Sequence, residues 1–313
     1  MFHKKSEIYR GKSACVISGL GFLSLKDTLE CGQAFRYQLL TEEDDYVEYM
    51  TVAYGNIITV GQRTPGELIF YDQWTEDYER AVTRYFAFDT DFERIRRDIL
   101  SRTESDWLSR ASEEAKGIAI LKQDPWETLF SFIISQNNNI PRIRKIVRSI
   151  SLEYGENLAV KSGLKKCPLP TKNCIPGCKD CSECGMCYSF PTPENIADNP
   201  DGLLPSHPGF RYKYMLDAAY KVLSGEVDLD EIAKRNNYEY TLTELKKILG
   251  VGDKVASCVA LFGFSNLEAF PIDVWMKRAI DEYFSGNLDP KLLGPYAGVA
   301  QQYIFHFIRN LNS

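Results

Sequence analysis

The sequence predicts an α+β fold in which a small antiparallel sheet domain precedes an all-helical one. Residues 33–72 are rich in β-branched and aromatic side chains and are cut by the turn dipeptides Gly55-Asn56 and Pro65-Gly66. From Thr75 onward the apolar positions recur at helical spacing instead. Strands first and helices afterwards is the order of an α+β chain, not of alternating βαβ units.

The elements follow in chain order. Residues 33–40, 46–54, 56–60 and 68–71 read as strands joined in hairpins. Asp124 before Pro125 reads as an N-cap and first helical residue, with an apolar run behind it through Ile134. Residues 241–249 and 253–264 read as helices separated by Gly250-Val251-Gly252; Pro271-Ile272-Asp273 starts another, and 296–309 forms the last. The expected division is a sheet domain with helices over 1–118 and a helical domain over 119–313. Residues 163–190, where six cysteines crowd together with prolines and glycines, read as an inserted loop.

The chain has 313 residues, 44% hydrophobic and 26% charged, which is ordinary for a soluble globular protein. No apolar run reaches the roughly 18 residues of a membrane span, so no membrane partner is expected. The first ten residues are polar with no apolar stretch behind them, which argues against secretion. The expected setting is the cytoplasm and nucleoid of a prokaryote or the nucleus of a eukaryote, where cysteines stay reduced or bind metal. The net charge of −6 counts against a nucleic-acid partner. Phosphate attraction is local, however, and Arg142, Arg144, Lys145 and Arg148 cluster, as do Arg211 and Lys213. Solvated helix faces would look the same.

The stretch from Leu249 to Ala256 reads Leu-Gly-Val-Gly-Asp-Lys-Val-Ala. Two glycines between amphipathic helices make a tight turn. The helix that starts behind them leaves unpaired backbone N–H groups pointing outward, able to hold a phosphate without a cation. Gly250 and Gly252 are therefore candidate DNA contacts, with a plain glycine-capped turn as the simpler alternative. Lys254 sits on the first turn of that helix, where the dipole disfavours a cation. A neutral amine is what covalent chemistry at a sugar C1′ needs. Asp273 is placed to cap the following helix and supplies a carboxylate. Alone, either would pass as a surface lysine or a plain cap; with the hairpin they read as a catalytic pair.

Residues 249–276 resemble the helix-hairpin-helix, Gly/Pro-rich-loop, aspartate motif of base-excision DNA glycosylases. From about residue 24 to 310, the 163–190 stretch excepted, the chain is most similar to the 8-oxoguanine glycosylases. The resemblance implies a helix-hairpin-helix glycosylase domain behind the sheet. It also implies a bifunctional glycosylase and AP lyase that excises 8-oxoguanine from duplex DNA opposite cytosine. Lys254 would attack the anomeric carbon, Asp273 would assist, and the Schiff base would permit β-elimination. Alkyl-base glycosylases of the same fold lack the lysine.

A base inside the stack cannot present C1′ to a nucleophile, so the nucleotide must be extruded. Ser135-Gln-Asn-Asn-Asn-Ile-Pro-Arg142 resembles the family's Asn-Asn-Asn-Ile segment. That resemblance places Asn137 in the vacated gap, with Asn139 a further DNA contact and Arg142 and Arg211 reading cytosine; helix capping is the alternative for each asparagine. Phe210-Arg211 stands where the family commonly has Tyr-Arg, keeping the aromatic wedge without its hydroxyl. Trp275 stands where eukaryotic members carry a histidine near a phosphate. Cys31-Gly-Gln-Ala-Phe-Arg36 resembles the segment whose backbone carbonyl, here of Gly32, accepts the N7–H that 8-oxoguanine has and guanine lacks. An unmatched buried polar group there costs roughly 1–3 kcal/mol. In the segment 294–305, Gln301 would bond the Watson–Crick edge and Phe305, four residues on and so on the same helix face, would stack on the base. Cys258 would cover the opposite face of the base. Without the resemblance, Phe305 and Cys258 would read as core residues.

Cys167, Cys174, Cys178, Cys181, Cys184 and Cys187 are closely spaced, as in a thiolate metal site. The run looks more like an iron–sulfur pattern than two separated zinc pairs. Zinc, an iron–sulfur cluster, and plain thiols or disulfides all stay open. A metal at Cys174, Cys178, Cys181, Cys184 and Cys187 would be structural, since lysine chemistry requires no cofactor. The expected partner is double-stranded DNA containing 8-oxoguanine, bound by a monomer. The rival readings are a damaged-DNA-binding module that does not cut, and a glycosylase for another oxidised or alkylated base.

Overall fold

The computed structural model describes residues 2–71, 74–161, 185–286 and 288–311. Six antiparallel strands form one sheet: β1 (His3–Tyr9), β2 (Lys12–Ser18), β3 (Tyr37–Glu43), β4 (Tyr46–Ala53), β5 (Asn56–Gln62) and β6 (Glu67–Phe70). Their order is β1-β2-β6-β5-β4-β3. β3 to β6 are the predicted hairpins. β1 and β2 were not expected, because β1 is almost wholly exposed and charge-rich. Such a strand suits a sheet edge, where charge discourages further pairing. The expected first strand begins later, at Tyr37, because the residues before it turn out of helix α1 (Leu25–Glu30), which Ser24 caps.

Three helices follow the sheet: α2 (Glu76–Tyr85), capped by Thr75, α3 (Phe92–Ser101) and α4 (Asp106–Glu114). α5 (Pro125–Ser135) starts on the Asp124 cap as predicted, and α6 (Ile140–Tyr154) and α7 (Leu158–Lys161) come next. The remainder comprises α8 (Pro193–Asp198), α9 (Tyr212–Leu223), α10 (Leu229–Arg235), α11 (Tyr238–Leu245), α12 (Asp253–Gly263), α13 (Val274–Tyr283) and α14 (Ala297–Leu311). α11 ends four residues before the predicted limit of 249. There, groups on α9 take over the backbone: the Leu249 N–H donates to the Asp217 carboxylate at 2.6 Å, and Lys221 Nζ donates to the Lys247 carbonyl at 2.5 Å.

Two hydrophobic cores meet along an extended segment. Ile118 and Ile120 belong to the helical core, whereas Ala119 and Leu121 belong to the core between the sheet and α1–α2. This is the alternation of an extended chain, whose successive side chains point to opposite sides. Within the helical core α12 lies against α5, and α14 against α4.

Candidate active site

The hairpin between α11 and α12 uses its two glycines differently. Gly250 has φ +78°, and a Cβ there would fall 2.5 Å from the Tyr214 ring, so both conformation and space demand glycine. Gly252 has an ordinary φ of −97° and caps α12 with no side-chain acceptor. A Cβ at Gly252 would meet nothing within 4 Å. The protein itself does not require that glycine; its effect is to leave the first-turn N–H groups of α12 open to an incoming anion.

Lys254, on that first turn, is half-buried. Its ammonium lies 5.2 Å from the centroid of the Phe132 ring, a cation–π distance. Phe132 in turn stacks on Phe262 at 5.5 Å and 15°. One turn on, Cys258 is buried, and burial pushes its thiol up to about 11, which the facing Lys254 ammonium offsets only in part. Asp273 caps α13 as expected, with Oδ1 accepting the Met276 N–H at 2.9 Å. The cap fixes the carboxylate's direction.

A cavity of about 350 Å³, measured to its open mouth, is lined by Lys254, Asp273, Gly32, Cys258, Gln301 and Phe305, together with Cys31, Phe132, Phe262, Pro271 and Gln302. All six residues expected at the chemistry or the base share this one space. The other five were missed. Phe132 and Phe262 carry no signal beyond that of core aromatics, and Gln302 is hidden beside Gln301.

Gly32 has φ +91°, and a Cβ would make only ordinary contacts, 3.6 Å from Phe305 and 3.7 Å from Ile140 and Arg309. Conformation, not crowding within the protein, selects glycine here. Gln33 holds the turn. Its buried Nε2 donates to the carbonyls of Thr28 (2.9 Å) and Ala119 (2.8 Å), and its Oε1 accepts from the Leu121 N–H (2.8 Å). The cavity's Gly32 wall is thus tied to the seam between the two cores.

The expected DNA-facing residues lie around α5, α6 and α9. Asn137 is exposed with φ +49°. Asn138 and Asn139 do the capping that was the alternative reading: Asn138 Nδ2 donates to the Ile134 carbonyl at 3.1 Å, and Asn139 Oδ1 accepts the Arg142 N–H at 3.0 Å. Arg211 is buried and donates to the carbonyls of Gln136 (2.8 Å), Asn137 (2.9 Å) and Pro208 (3.3 Å). Its guanidinium covers the half-exposed Phe210 ring at 4.5 Å. Burial, and then the nearby Arg142, disfavour its charge. Of the two arginines expected at cytosine, Arg142 is exposed and Arg211 is committed inward. Trp275 is half-buried against the helical core and outside the cavity wall.

Two basic residues are corrected. Arg144 and Arg148 are half-buried and bonded within the protein, not a freely solvated face. Arg148 donates to Gln38 Oε1 at 2.7 Å, and Arg144 donates to the Tyr37 carbonyl and covers the Tyr37 ring at 4.2 Å. They clamp α6 to β3. Cys167, Cys174, Cys178, Cys181 and Cys184 lie outside the described residues. Cys187 is fully buried in an apolar cluster with Met50, Val52, Leu158 and Met186. The backbone before and after the cysteine-rich stretch is joined, the Leu158 N–H donating to the Cys187 carbonyl at 2.8 Å. Among the described residues, no group of three or more metal-ligating side chains comes together.

Comparison with known proteins adds to this geometry. Residues 18–129 match the family described as "8-oxoguanine DNA glycosylase, N-terminal domain". The N-glycosylase/DNA lyase of Saccharomyces cerevisiae is 26% identical over 279 residues, 82% of this chain and 67% of that protein. The 8-oxoguanine glycosylase/lyase of Clostridium acetobutylicum, solved with double-stranded DNA containing cytosine opposite 8-oxoguanine, is 29% identical with a TM-score of 0.79. The match covers 100% of this chain and 99% of that one. The apo form of the same enzyme superposes at 30% identity and a TM-score of 0.77, with 98% of each chain covered.

Proposed function

The chain belongs to the 8-oxoguanine DNA glycosylase family, and from that premise we propose that it is a bifunctional glycosylase and AP lyase that removes 8-oxoguanine from duplex DNA with Lys254 as nucleophile. One observation carries the reading: the cavity that holds Lys254 and Asp273 also holds Gly32, Cys258, Gln301 and Phe305. An amine, a fixed carboxylate, an aromatic ring and side-chain amides around one space suit a flipped nucleotide.

In this reading the hairpin N–H groups at Gly250 and Gly252 hold the backbone phosphate, with Trp275 beside them. Asn137 and Phe210 fill and wedge the vacated stack, Asn139 orders the turn, and Arg142 meets the opposite cytosine. Arg211 joins it only by exchanging its carbonyl partners for the base. The extruded purine lies between Phe305 and Cys258, with the Gly32 carbonyl accepting N7–H and Gln301 at the Watson–Crick edge. Lys254 Nζ gives up its ammonium proton and bonds to C1′ as the bond to N9 breaks; the electron pair leaves with the purine, which takes that proton. The Asp273 carboxylate stabilises the positive charge that develops on the sugar. Ring opening, with O4′ taking a proton, then gives an imine, and β-elimination removes a C2′ proton as the C3′–O bond breaks and the 3′ phosphate leaves with its strand. None of these steps draws on a metal, so zinc or an iron–sulfur cluster at the cysteine-rich stretch would serve structure.

Borohydride reduction tests the imine by converting it to a stable protein–DNA adduct. The native chain is expected to give that adduct with an 8-oxoguanine:cytosine duplex. Lys254→Gln is expected to give none and to lose about 10³-fold or more in excision. An adduct that persists in the variant places the nucleophile elsewhere. Tight binding by the native chain without adduct or cleavage would favour a damage-binding module.

A further inference from the structure

Gln302 stands next to the glutamine assigned to the Watson–Crick edge, and it is more than a neighbour. It is 4% exposed and Gln301 is 3% exposed. Both line the cavity. Gln302 Nε2 donates to Gln301 Oε1 at 2.7 Å, so each amide fixes the other. Gln302 Oε1 is buried and has no hydrogen-bond partner. A buried carbonyl oxygen without a donor is costly, and in a binding site it marks where a ligand donor belongs. The mutual bond uses one of the two lone pairs on Gln301 Oε1. One lone pair of Gln301 Oε1 and the whole of Gln302 Oε1 therefore remain without a donor, on two residues that line the cavity.

Two adjacent acceptors match two adjacent donors. On a purine Watson–Crick edge, that pattern is the N1–H and C2 amino group of a guanine-type base. An adenine-type edge has an acceptor at N1 and no amino group at C2. We propose that Gln302 is a specificity residue whose carbonyl accepts a hydrogen bond from the C2 amino group of the extruded base while Gln301 takes N1–H. The inference rests on the cavity being the lesion pocket, and it adds a second protein contact on the edge opposite the one that carries the oxidation. Reading N7–H at Gly32 distinguishes oxidised from intact guanine; reading the C2 amino group separates guanine-type from other 8-oxopurines.

The test is single-turnover excision of 8-oxoguanine and of 8-oxohypoxanthine, the same purine without its C2 amino group, from otherwise identical duplexes. The native chain is expected to favour 8-oxoguanine by roughly tenfold or more, the effect of leaving one buried acceptor unpaired. In Gln302→Met, which keeps the side-chain volume without the amide, and in Gln302→Ala, the ratio is expected to fall towards one. Thermal melting shows that the variants are folded, and where turnover falls below detection the same ratio is read from dissociation constants for the two duplexes. A ratio unchanged in folded variants, or a native chain indifferent to the amino group, overturns the role of Gln302 while leaving the pocket assignment intact. A native chain that releases neither base overturns the pocket assignment and this inference with it.

Discussion

Inside the cavity, Gln301 and Gln302 are buried and bonded to each other, and Lys254 lies over a stacked pair of phenylalanines. On the rim proposed to face DNA, Asn137 and Arg142 are exposed, Phe210 is half-exposed, and Arg211 is turned inward onto the carbonyls of Gln136 and Asn137. The difference is one of preparation. The proposed base pocket has its polar groups already placed, which would spare ordering at the moment of reaction. The rim is assembled around a strained turn whose central cation is already spent on the protein, so gripping the opposite strand calls for an exchange of partners.

The contrast is most exposed to failure at Arg211. Arg211→Ala leaves three carbonyls without their donor and is expected to cost about 2–3 kcal/mol in denaturant unfolding. Arg211→Lys, which lacks the planar fork, is expected to recover little of it. A loss below about 1 kcal/mol would show that the Asn137 turn stands by itself, and the rim would then be as prepared as the pocket. Gly32→Ala is expected to cost about 1–2 kcal/mol, because the cost of a positive φ is not offset by any new contact. A neutral change would mean that the pocket wall relaxes easily.

The buried thiols sharpen the same point through pH. Burial holds Cys31 and Cys258 up at about 11, against 9.0 for a free thiol. Between those values the unfolded chain has released protons that the folded chain still holds, so stability is full below about pH 9 and falls as pH rises towards 11. Urea unfolding across that range checks it, and a flat profile would mean that water reaches the pocket floor. The smallest effect is expected at Arg142. Arg142→Ala should shift stability by no more than about 0.5 kcal/mol. It should reduce the preference for cytosine opposite the lesion by roughly tenfold, the worth of one good base contact. Unchanged discrimination against all four opposite bases would remove Arg142 from the reading of cytosine.

The helical half of the fold was legible because its signals are local: the Asp124 cap, the glycines before Lys254 and the Asp273 cap each act within a few residues. The β1–β2 hairpin was not legible, since the exposed β1 lacks the apolar alternation of a half-buried strand and the buried run Ala14–Ile17 of β2 does not alternate either. Arg144 and Arg148 were misread for a related reason. Their partners, Tyr37 and Gln38, are about a hundred residues away in sequence, and charge clustering says nothing about distant carbonyls. Gln33 and Gln302 escaped notice because a glutamine earns its place only through what it meets after folding. The proposed catalytic pair stood out where these did not, because a lysine behind two glycines and an aspartate before a helix are uncommon in combination.

The bare cap at Gly252 also bears on how the chain meets DNA at different salt concentrations. A phosphate held by peptide N–H groups is gripped without a side-chain cation, so few condensed counterions are released on binding. Affinity for duplex DNA should then decline gently as ionic strength rises. An acidic protein can in this way stay bound where a binder built from lysines would already have let go.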